Sequence, residues 1–294
     1  MINELITENN PKSVTSEAFK TLRTNIQFMN KNKKLNTLLV TSSFASEGKT
    51  FVASNLAVTF AQTGKNVILI DADMRKGRQH DVFNMPINPG LSNYLSEADL
   101  NKNILVEDYI RKTEIDNLSI IVAGNIPQNP SELLISTQMI KLLDKLKTMY
   151  DLIVIDGTPC ELVTDSIILS RIVDSTVIVA SYNETKRNVL ERTIKSIQNV
   201  DGNLAGVILN KVPITNKKNN YYSDNPNNKM EKIKKNEIEE NKNLEKEEKQ
   251  IVNEVTQENI QESESEENNN NEILEKPDFL KNNDDLYNSW IKKS

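Results

Sequence analysis

Short apolar runs rich in β-branched residues recur along the first two-thirds of the chain, each bounded by turn-forming residues. Runs of this length predict buried strands. The predicted strands lie at residues 37–41, 66–70, 118–122, 152–155, 176–180 and 206–209. Helical periodicity occupies most of the intervening segments, including residues 50–63, 131–149 and 186–200. Because continuous apolar strands alternate with helices, we expect an α/β fold with a doubly wound, mostly parallel sheet covered on both faces.

A further helix is predicted before the first strand, at residues 13–29. Apolar residues recur there at intervals of three or four positions, namely Ala18, Leu22, Ile26 and Met29. This spacing places them on one face of the helix, and Ser16 is a candidate N-cap. We expect the helix to dock on the core or on a neighbouring chain.

The apolar pattern stops near residue 213, and the composition changes there. All eight glycines lie at or before Gly206. Residues 1–213 hold 23 basic and 23 acidic residues, whereas residues 214–294 hold 13 and 19, which accounts for the whole net charge of -6. We therefore predict one packed domain at 1–213 and a disordered, acidic tail rich in Asn, Glu and Lys at 214–294. A neutral domain has no excess of basic charge for nucleic acid.

The remaining composition favours a cytoplasmic protein. Cys160 is the only cysteine and His80 the only histidine, so an internal disulfide and a thiolate–imidazole metal cluster are excluded. Neither residue has a partner suited to nucleophilic catalysis, and we interpret both as structural. No apolar run approaches the ~18 residues of a spanning helix, and the N-terminus lacks the features of an export signal. Any membrane association is expected to depend on a partner.

The strongest chemical signal is the loop between the first strand and the next helix. Its Gly-Lys-Thr sequence stands in the strand–loop–helix context of a phosphate-binding loop. The residues expected to bind the nucleotide there are Ser43, Ala45, Ser46, Glu47, Gly48, Lys49 and Thr50. Lys49 would neutralise the β- and γ-phosphates of ATP, and the Thr50 hydroxyl would bind Mg2+. A serine at position 46 would cost about 1 kcal/mol or more if the loop requires positive φ there.

Two further strands end in carboxylates. Asp71 and Asp73 follow the second strand one residue apart and point to the same side. Asp156 follows four apolar strand residues, as does the usual second Mg2+ anchor of P-loop enzymes. We assign Asp71 as the base or hydroxyl-orienting residue, and Asp73 and Asp156 to the metal. A bland alternative is that the Asp-x-Asp pair only caps a turn.

With these motifs the chain resembles the bacterial tyrosine kinases that regulate capsule and exopolysaccharide assembly. The resemblance covers residues 10–213, and its motifs are the phosphate-binding loop, Asp-Ala-Asp-Met-Arg at 71–75 and Ile-Asp-Gly-Thr-Pro at 155–159. Cell-division and plasmid-partition ATPases share the fold but carry a signature lysine where this chain has Phe44. The resemblance therefore implies ATP- and Mg2+-dependent phosphotransfer to tyrosine residues of this and other proteins.

The resemblance also implies an assembly and partners. Glu17, Lys20 and Arg23 match a Glu-x-x-Arg-x-x-Arg helix through which such kinases form rings, with lysine replacing the first arginine. The alternative for these residues is an ordinary solvated helix face. A membrane adaptor with a cytoplasmic tail is expected to complete the site, which would place the protein at the inner face of the membrane.

Nucleotide recognition and the phosphoacceptor are also assigned by resemblance. Asn210 matches the residue that contacts the adenine edge, although it could also be a turn-forming asparagine. The family phosphorylates a C-terminal tyrosine cluster, for which this chain offers only Tyr221 and Tyr222 just beyond the core. Asp165 could cap the following helix and is left outside the catalytic set.

Two alternatives to the kinase remain open: an ATPase switch with water as acceptor, and a non-catalytic regulator that binds nucleotide weakly.

Overall fold

The computed structural model describes residues 4–29, 35–100 and 104–213, without the side chains of residues 99 and 100. The predicted disordered tail at 214–294 and the candidate acceptors Tyr221 and Tyr222 lie outside the described residues.

The described residues contain a seven-stranded sheet. Its strands are β1 (Thr37–Ser42), β2 (Val67–Asp71), β3 (Arg111–Lys112), β4 (Leu118–Ile121), β5 (Leu152–Pro159), β6 (Ser175–Ser181) and β7 (Leu204–Asn210). Their order across the sheet is β3-β4-β2-β5-β1-β6-β7, and every neighbouring pair is parallel except β3 with β4. The predicted doubly wound α/β fold is confirmed. The edge strand β3 was not predicted, because it consists of two cationic residues and therefore shows no apolar pattern.

Helices cover both faces of this sheet. They are α1 (Ile6–Asn9), α2 (Val14–Met29), α3 (Lys49–Ala61), α4 (Gln79–Val82), α5 (Leu91–Leu100), α6 (Pro130–Ile135), α7 (Thr137–Met149), α8 (Asp165–Ile172) and α9 (Arg187–Gln198), with a 3-10 helix at Val106–Tyr109. Helices α2 and α3 pack on one face, and α5, α7 and α8 pack on the other. Neighbouring residues of one strand point to opposite faces, so Leu38 joins the first core and Leu39 the second. None of the described helices is long and apolar enough to cross a bilayer.

The single helix predicted at 131–149 is wrong, because the chain forms two helices there. Ser136 adopts extended backbone angles (φ -63°, ψ 156°) between α6 and α7. Its Oγ accepts a hydrogen bond from the backbone N–H of Met139 at 3.3 Å, which is the N-cap arrangement. A serine inside a helical apolar pattern therefore begins a new helix.

The predicted role of Ser16 as N-cap of α2 is also wrong. The helix begins at Val14, and Ser13 Oγ accepts a hydrogen bond from the N–H of Ser16 at 3.1 Å. Ser16 is buried, and its hydroxyl donates to the carbonyl of Asn10 at 2.6 Å. The helix nevertheless docks on the core as expected, with Phe19 and Ile26 buried.

Candidate active site

The three predicted motifs converge at the carboxyl edge of the central strands. Strand β5 lies between β1 and β2, and Asp156 is paired in register with Val40 on one side and Asp71 on the other. The loop that follows β1 therefore faces two carboxylates that are distant in the sequence. Parallel pairing with this register explains why the motifs form one site.

The phosphate-binding loop contains two residues with positive φ. Ser46 has φ 66° and Gly48 has φ 98°. The loop does require positive φ at residue 46, so a serine occupies a left-handed conformation there at a cost of about 1 kcal/mol. At Gly48 a Cβ atom would collide with Nδ2 of Asn210, so another residue there would strain the left-handed backbone and would displace the Asn210 side chain.

The side chains of Glu47 and Ser43 stabilise the loop through hydrogen bonds. Glu47 Oε2 accepts a hydrogen bond from the N–H of Phe44 at 2.8 Å, and its other oxygen accepts one from the Thr185 hydroxyl. Buried Ser43 accepts a hydrogen bond from Thr193 at 2.9 Å. Only the backbone of Ser43 and Glu47 is therefore left to meet a phosphate, whereas Ala45 and Ser46 are exposed.

Lys49 lies among the carboxylates that the sequence predicts for the site. Its Nζ is 3.0 Å from Asp73 Oδ2, 3.6 Å from Asp156 Oδ1 and 3.3 Å from Thr50 Oγ1. Burial by itself lowers the pKa of Lys49, but the charges of Asp156 and Asp73 outweigh it, so the pKa is raised above its ordinary value. Lys49 is therefore a permanent cation at the end of the loop.

Asp71 is fully buried and is held by two backbone donors. Its Oδ1 accepts from the N–H of Asp73 at 3.2 Å, and its Oδ2 accepts from the N–H of Gln79 at 2.9 Å. Burial and the nearby charge of Asp156 raise the pKa of Asp71 well above its ordinary value. Burial also raises the pKa of Asp156, although Lys49 opposes the shift. A raised pKa makes Asp71 a stronger proton acceptor than a free aspartate once it is ionised.

The donor set is suited to magnesium. Thr50 offers a hydroxyl, and Asp73 and Asp156 offer carboxylate oxygens, which are the ligands that Mg2+ prefers. Among the described residues, Asp156 Oδ1 is buried and has no hydrogen-bond partner. A buried carboxylate oxygen that faces a hydroxyl and an ammonium group fits a site for a metal-bound polyphosphate.

Two residues of this site were not predicted. Gln79 donates its side-chain amide to Asp156, and a Cβ atom at Gly77 would lie 2.7 Å from Asp71 Oδ2. Gln79 stands between Arg78 and His80 in a short helix without apolar periodicity, and no sequence signal marks it. Gly77 could have been noticed as a glycine soon after the second motif.

Two further residues considered in the sequence, Asp165 and Asn210, form contacts with other parts of the domain. Asp165 forms an ion pair with Arg75 at 2.8 Å and accepts a hydrogen bond from Ser131 at 2.6 Å. Its exclusion from the catalytic set stays a prediction. Asn210, at the end of β7, donates its Nδ2 to the carbonyl of Glu47 at 2.9 Å. It thus adjoins the phosphate-binding loop, where it ties β7 to that loop.

The predicted oligomerisation residues lie on α2, away from the carboxylates. Lys20 pairs with Glu17 at 2.7 Å, and Arg23 Nη1 donates to the carbonyl of Thr59 on α3 at 2.9 Å. All three are half-buried within the chain. Arg23 therefore helps to attach α2 to α3.

The chain is similar to known kinases over this same region. The AAA domain family matches residues 45–210. CapB of Staphylococcus aureus is 37% identical over 221 residues, which are 75% of this chain and 95% of the relative. The tyrosine-protein kinase YwqD of Bacillus subtilis is 34% identical over 71% of this chain and 86% of its own length. Against Wzc of Salmonella typhi, another tyrosine-protein kinase, the identity is 37% but the chain spans only 28% of the relative.

Solved structures are similar to this chain in fold as well as in sequence. The kinase domain of the Escherichia coli tyrosine kinase ETK superposes with a TM-score of 0.68 at 31% identity, covering 72% of this chain and 81% of that one. The chimerical protein CapA2B2 gives a TM-score of 0.68 at 34% identity, over 73% of this chain and 92% of the chimera. Together with the site geometry, these similarities establish that the chain belongs to the bacterial tyrosine kinases of the capsule and exopolysaccharide type.

Proposed function

We propose that this chain transfers the γ-phosphoryl group of ATP to tyrosine hydroxyls, on its own tail and on other proteins, and thereby regulates capsule or exopolysaccharide production. The observation that carries the proposal is the position of Lys49, which is 3.0 Å from Asp73 and 3.6 Å from Asp156 at the end of the phosphate-binding loop. One cation and two carboxylates gathered at that loop are suited to binding a metal-bound triphosphate.

Each residue of the site has a role in this transfer. Lys49 and the backbone amides of residues 45–50 hold the phosphates, while Thr50, Asp73 and Asp156 would hold Mg2+. When bound, Mg2+ neutralises charge on the phosphates and favours the in-line displacement. Asn210, which adjoins the loop through the Glu47 carbonyl, would contact the adenine base.

Asp71 accepts the proton of the tyrosine hydroxyl. The tyrosine oxygen forms a bond to the γ-phosphorus, the bond between that phosphorus and the β–γ bridging oxygen breaks, and ADP leaves. The tyrosine proton passes to the Asp71 carboxylate, which accepts it in its ionised form. The burial that raises its pKa strengthens it for this step.

The proposal includes partners and assembly. Tyr221 and Tyr222 are the candidate acceptors, in the acidic segment that follows the 1–213 kinase domain. A membrane adaptor with a cytoplasmic tail would complete the site and hold the chain at the inner membrane face. The chimerical nature of the similar CapA2B2 protein supports a kinase that acts with a second polypeptide. A ring formed through Glu17, Lys20 and Arg23 would bring one chain's tail to a neighbour's site.

The test is phosphotyrosine formation in the purified full-length chain. The chain is incubated with ATP, Mg2+ and the adaptor's cytoplasmic segment, and modified tyrosines are mapped by mass spectrometry. Lys49→Ala removes the cation at the phosphates and should lower phosphotyrosine at least about a hundredfold. Lys147→Ala, which removes a partly exposed lysine paired with Asp144, is the matched control and should leave the yield unchanged.

The outcomes separate the competing functions. Phosphate release without phosphotyrosine in the wild type would indicate an ATPase switch with water as acceptor. Binding of nucleotide without either product would indicate a non-catalytic regulator. Either result would overturn the kinase assignment for this chain.

A further inference from the structure

A fully buried amide, that of Gln79, lies between the acidic residues of the site. Gln79 is 0% exposed, although the side chain of its neighbour Arg78 is 58% exposed. Burying an amide is unfavourable unless its polar atoms find partners. The contacts of Gln79 must therefore offset the loss of hydration.

Gln79 contacts three separate parts of the site. Its backbone N–H donates to Asp71 Oδ2 at 2.9 Å. Its side-chain Nε2 donates to Asp156 Oδ2 at 3.0 Å and to the Thr50 carbonyl at 3.3 Å. One residue thus joins the end of β2, strand β5 and the first turn of α3.

The orientation of the amide follows from these partners. Both neighbours of Nε2 are acceptors, so the opposite orientation would set the Gln79 carbonyl oxygen against a carboxylate and a backbone carbonyl. The amide oxygen, Oε1, is buried and has no hydrogen-bond partner in the described part of the chain. Retaining an unpaired buried acceptor is costly, which indicates that the two donor contacts are what keep this side chain in place.

The contact leaves the other oxygen of Asp156 to face Lys49 and Thr50. Oδ2 is engaged by Gln79, whereas Oδ1 is 3.6 Å from Lys49 and has no hydrogen-bond partner among the described residues. A carboxylate held in this way presents a single oxygen toward Lys49 and Thr50. A neutral amide can hold the carboxylate in this orientation and leave its negative charge in place. An arginine or lysine at the same position would cancel that charge.

We propose that Gln79 is a positioning residue that orients Asp156 for the metal-bound nucleotide, and through its backbone N–H orients Asp71. This inference rests on the proposed function, because it assigns Gln79 to the same site. Residues that orient metal ligands typically affect metal affinity 10- to 100-fold when they are replaced.

The experiment measures binding of a non-hydrolysable ATP analogue to the full chain by calorimetry, with and without Mg2+. Gln79→Met keeps the size of the side chain and the backbone donor but removes the amide. We expect it to need at least about tenfold more Mg2+ for half-saturation, with binding in the absence of Mg2+ within about twofold of wild type. Gln79→Asn retains a shorter amide and should lie between the two. Gln62→Met, which removes an exposed amide that donates to the Thr7 carbonyl, is the control.

The possible results are distinguishable. A wild-type Mg2+ requirement in Gln79→Met, or an equal loss of binding with and without Mg2+, would overturn the inference while leaving the kinase assignment intact. If wild type itself binds the analogue without any effect of Mg2+, the proposed function fails first. Should Gln79→Met not fold, Gln79→Asn decides by the same criterion.

Discussion

At the scale of single residues, Asp71 shows how a position proposed to be catalytic can oppose stability. The carboxyl group is fully buried next to Asp156, and its pKa is raised by that burial and by that charge. The folded chain therefore holds a proton that the unfolded chain releases above about pH 4. Because the unfolded state then binds fewer protons, stability falls as the pH rises from that value through the raised pKa.

Asp71→Asn removes this titration. We expect the variant to gain stability relative to wild type, measured as the difference between their melting temperatures, as the pH rises above about 4, while phosphotyrosine formation is lost. Thermal unfolding of the ligand-free chain, followed by circular dichroism at several pH values, measures the difference. Asp144→Asn, at an exposed carboxylate (66%), should show no such trend. A difference that is constant with pH would contradict the raised pKa.

At the scale of elements, a buried asparagine of α3 connects the N-terminal helix α1 to the core. Four residues are too few for a helix to persist by itself in water. Asn55 on α3 accepts hydrogen bonds from the N–H and hydroxyl of Thr7 at 3.0 and 2.9 Å, and donates to the Glu4 carbonyl at 2.7 Å. Tertiary contacts therefore hold α1 beside α2 and α3.

Asn55→Ala should release α1, since it leaves the buried N–H of Thr7 without its partner. We expect a loss of about 1–3 kcal/mol in the free energy of unfolding and faster hydrogen exchange at residues 4–10, with the central strands still protected. Thr7→Val removes only the hydroxyl contact and should have a smaller effect. Unchanged exchange at residues 4–10 in Asn55→Ala would show that other contacts hold the helix.

At the scale of the whole molecule, α2 is the element on which the proposed ring depends. Its inner face is buried on α3 through Phe19 and Ile26, whereas Glu17, Lys20 and Arg23 are half-exposed. Arg23 also contacts the Thr59 carbonyl at 2.9 Å. Any test of assembly must therefore separate contacts within one chain from contacts between chains.

Glu17→Lys combined with Arg23→Glu reverses the charges of the proposed interface. We expect the molar mass from light scattering to fall to that of a smaller assembly, with the melting temperature reported beside it. Arg187→Glu changes a side chain that is 92% exposed on α9 and serves as the control. An unchanged mass in the double variant, or a wild type that is monomeric at all concentrations, would rule out this interface.

Much of the fold was predictable because it rests on local patterns. The six principal strands follow from short apolar runs, and the loop before α3 follows from its Gly-Lys-Thr sequence. The same reasoning failed at Ser136, which begins α7 inside an apolar helical pattern, and at β3, which is two residues long. In both cases the conformation depends on partners that a local pattern does not specify.

The sequence by itself determined the fold class, the phosphate-binding loop and the three carboxylates, since strand periodicity and motif spacing are properties of neighbouring residues. Only the tertiary structure decided that Lys49 lies between Asp73 and Asp156, that burial holds the pKa of Asp71 high, and that Gln79 bridges Asp156 and Thr50. Those features arise from parallel pairing of β2 with β5 and from exclusion of water. Both depend on parts of the chain that are far apart in sequence.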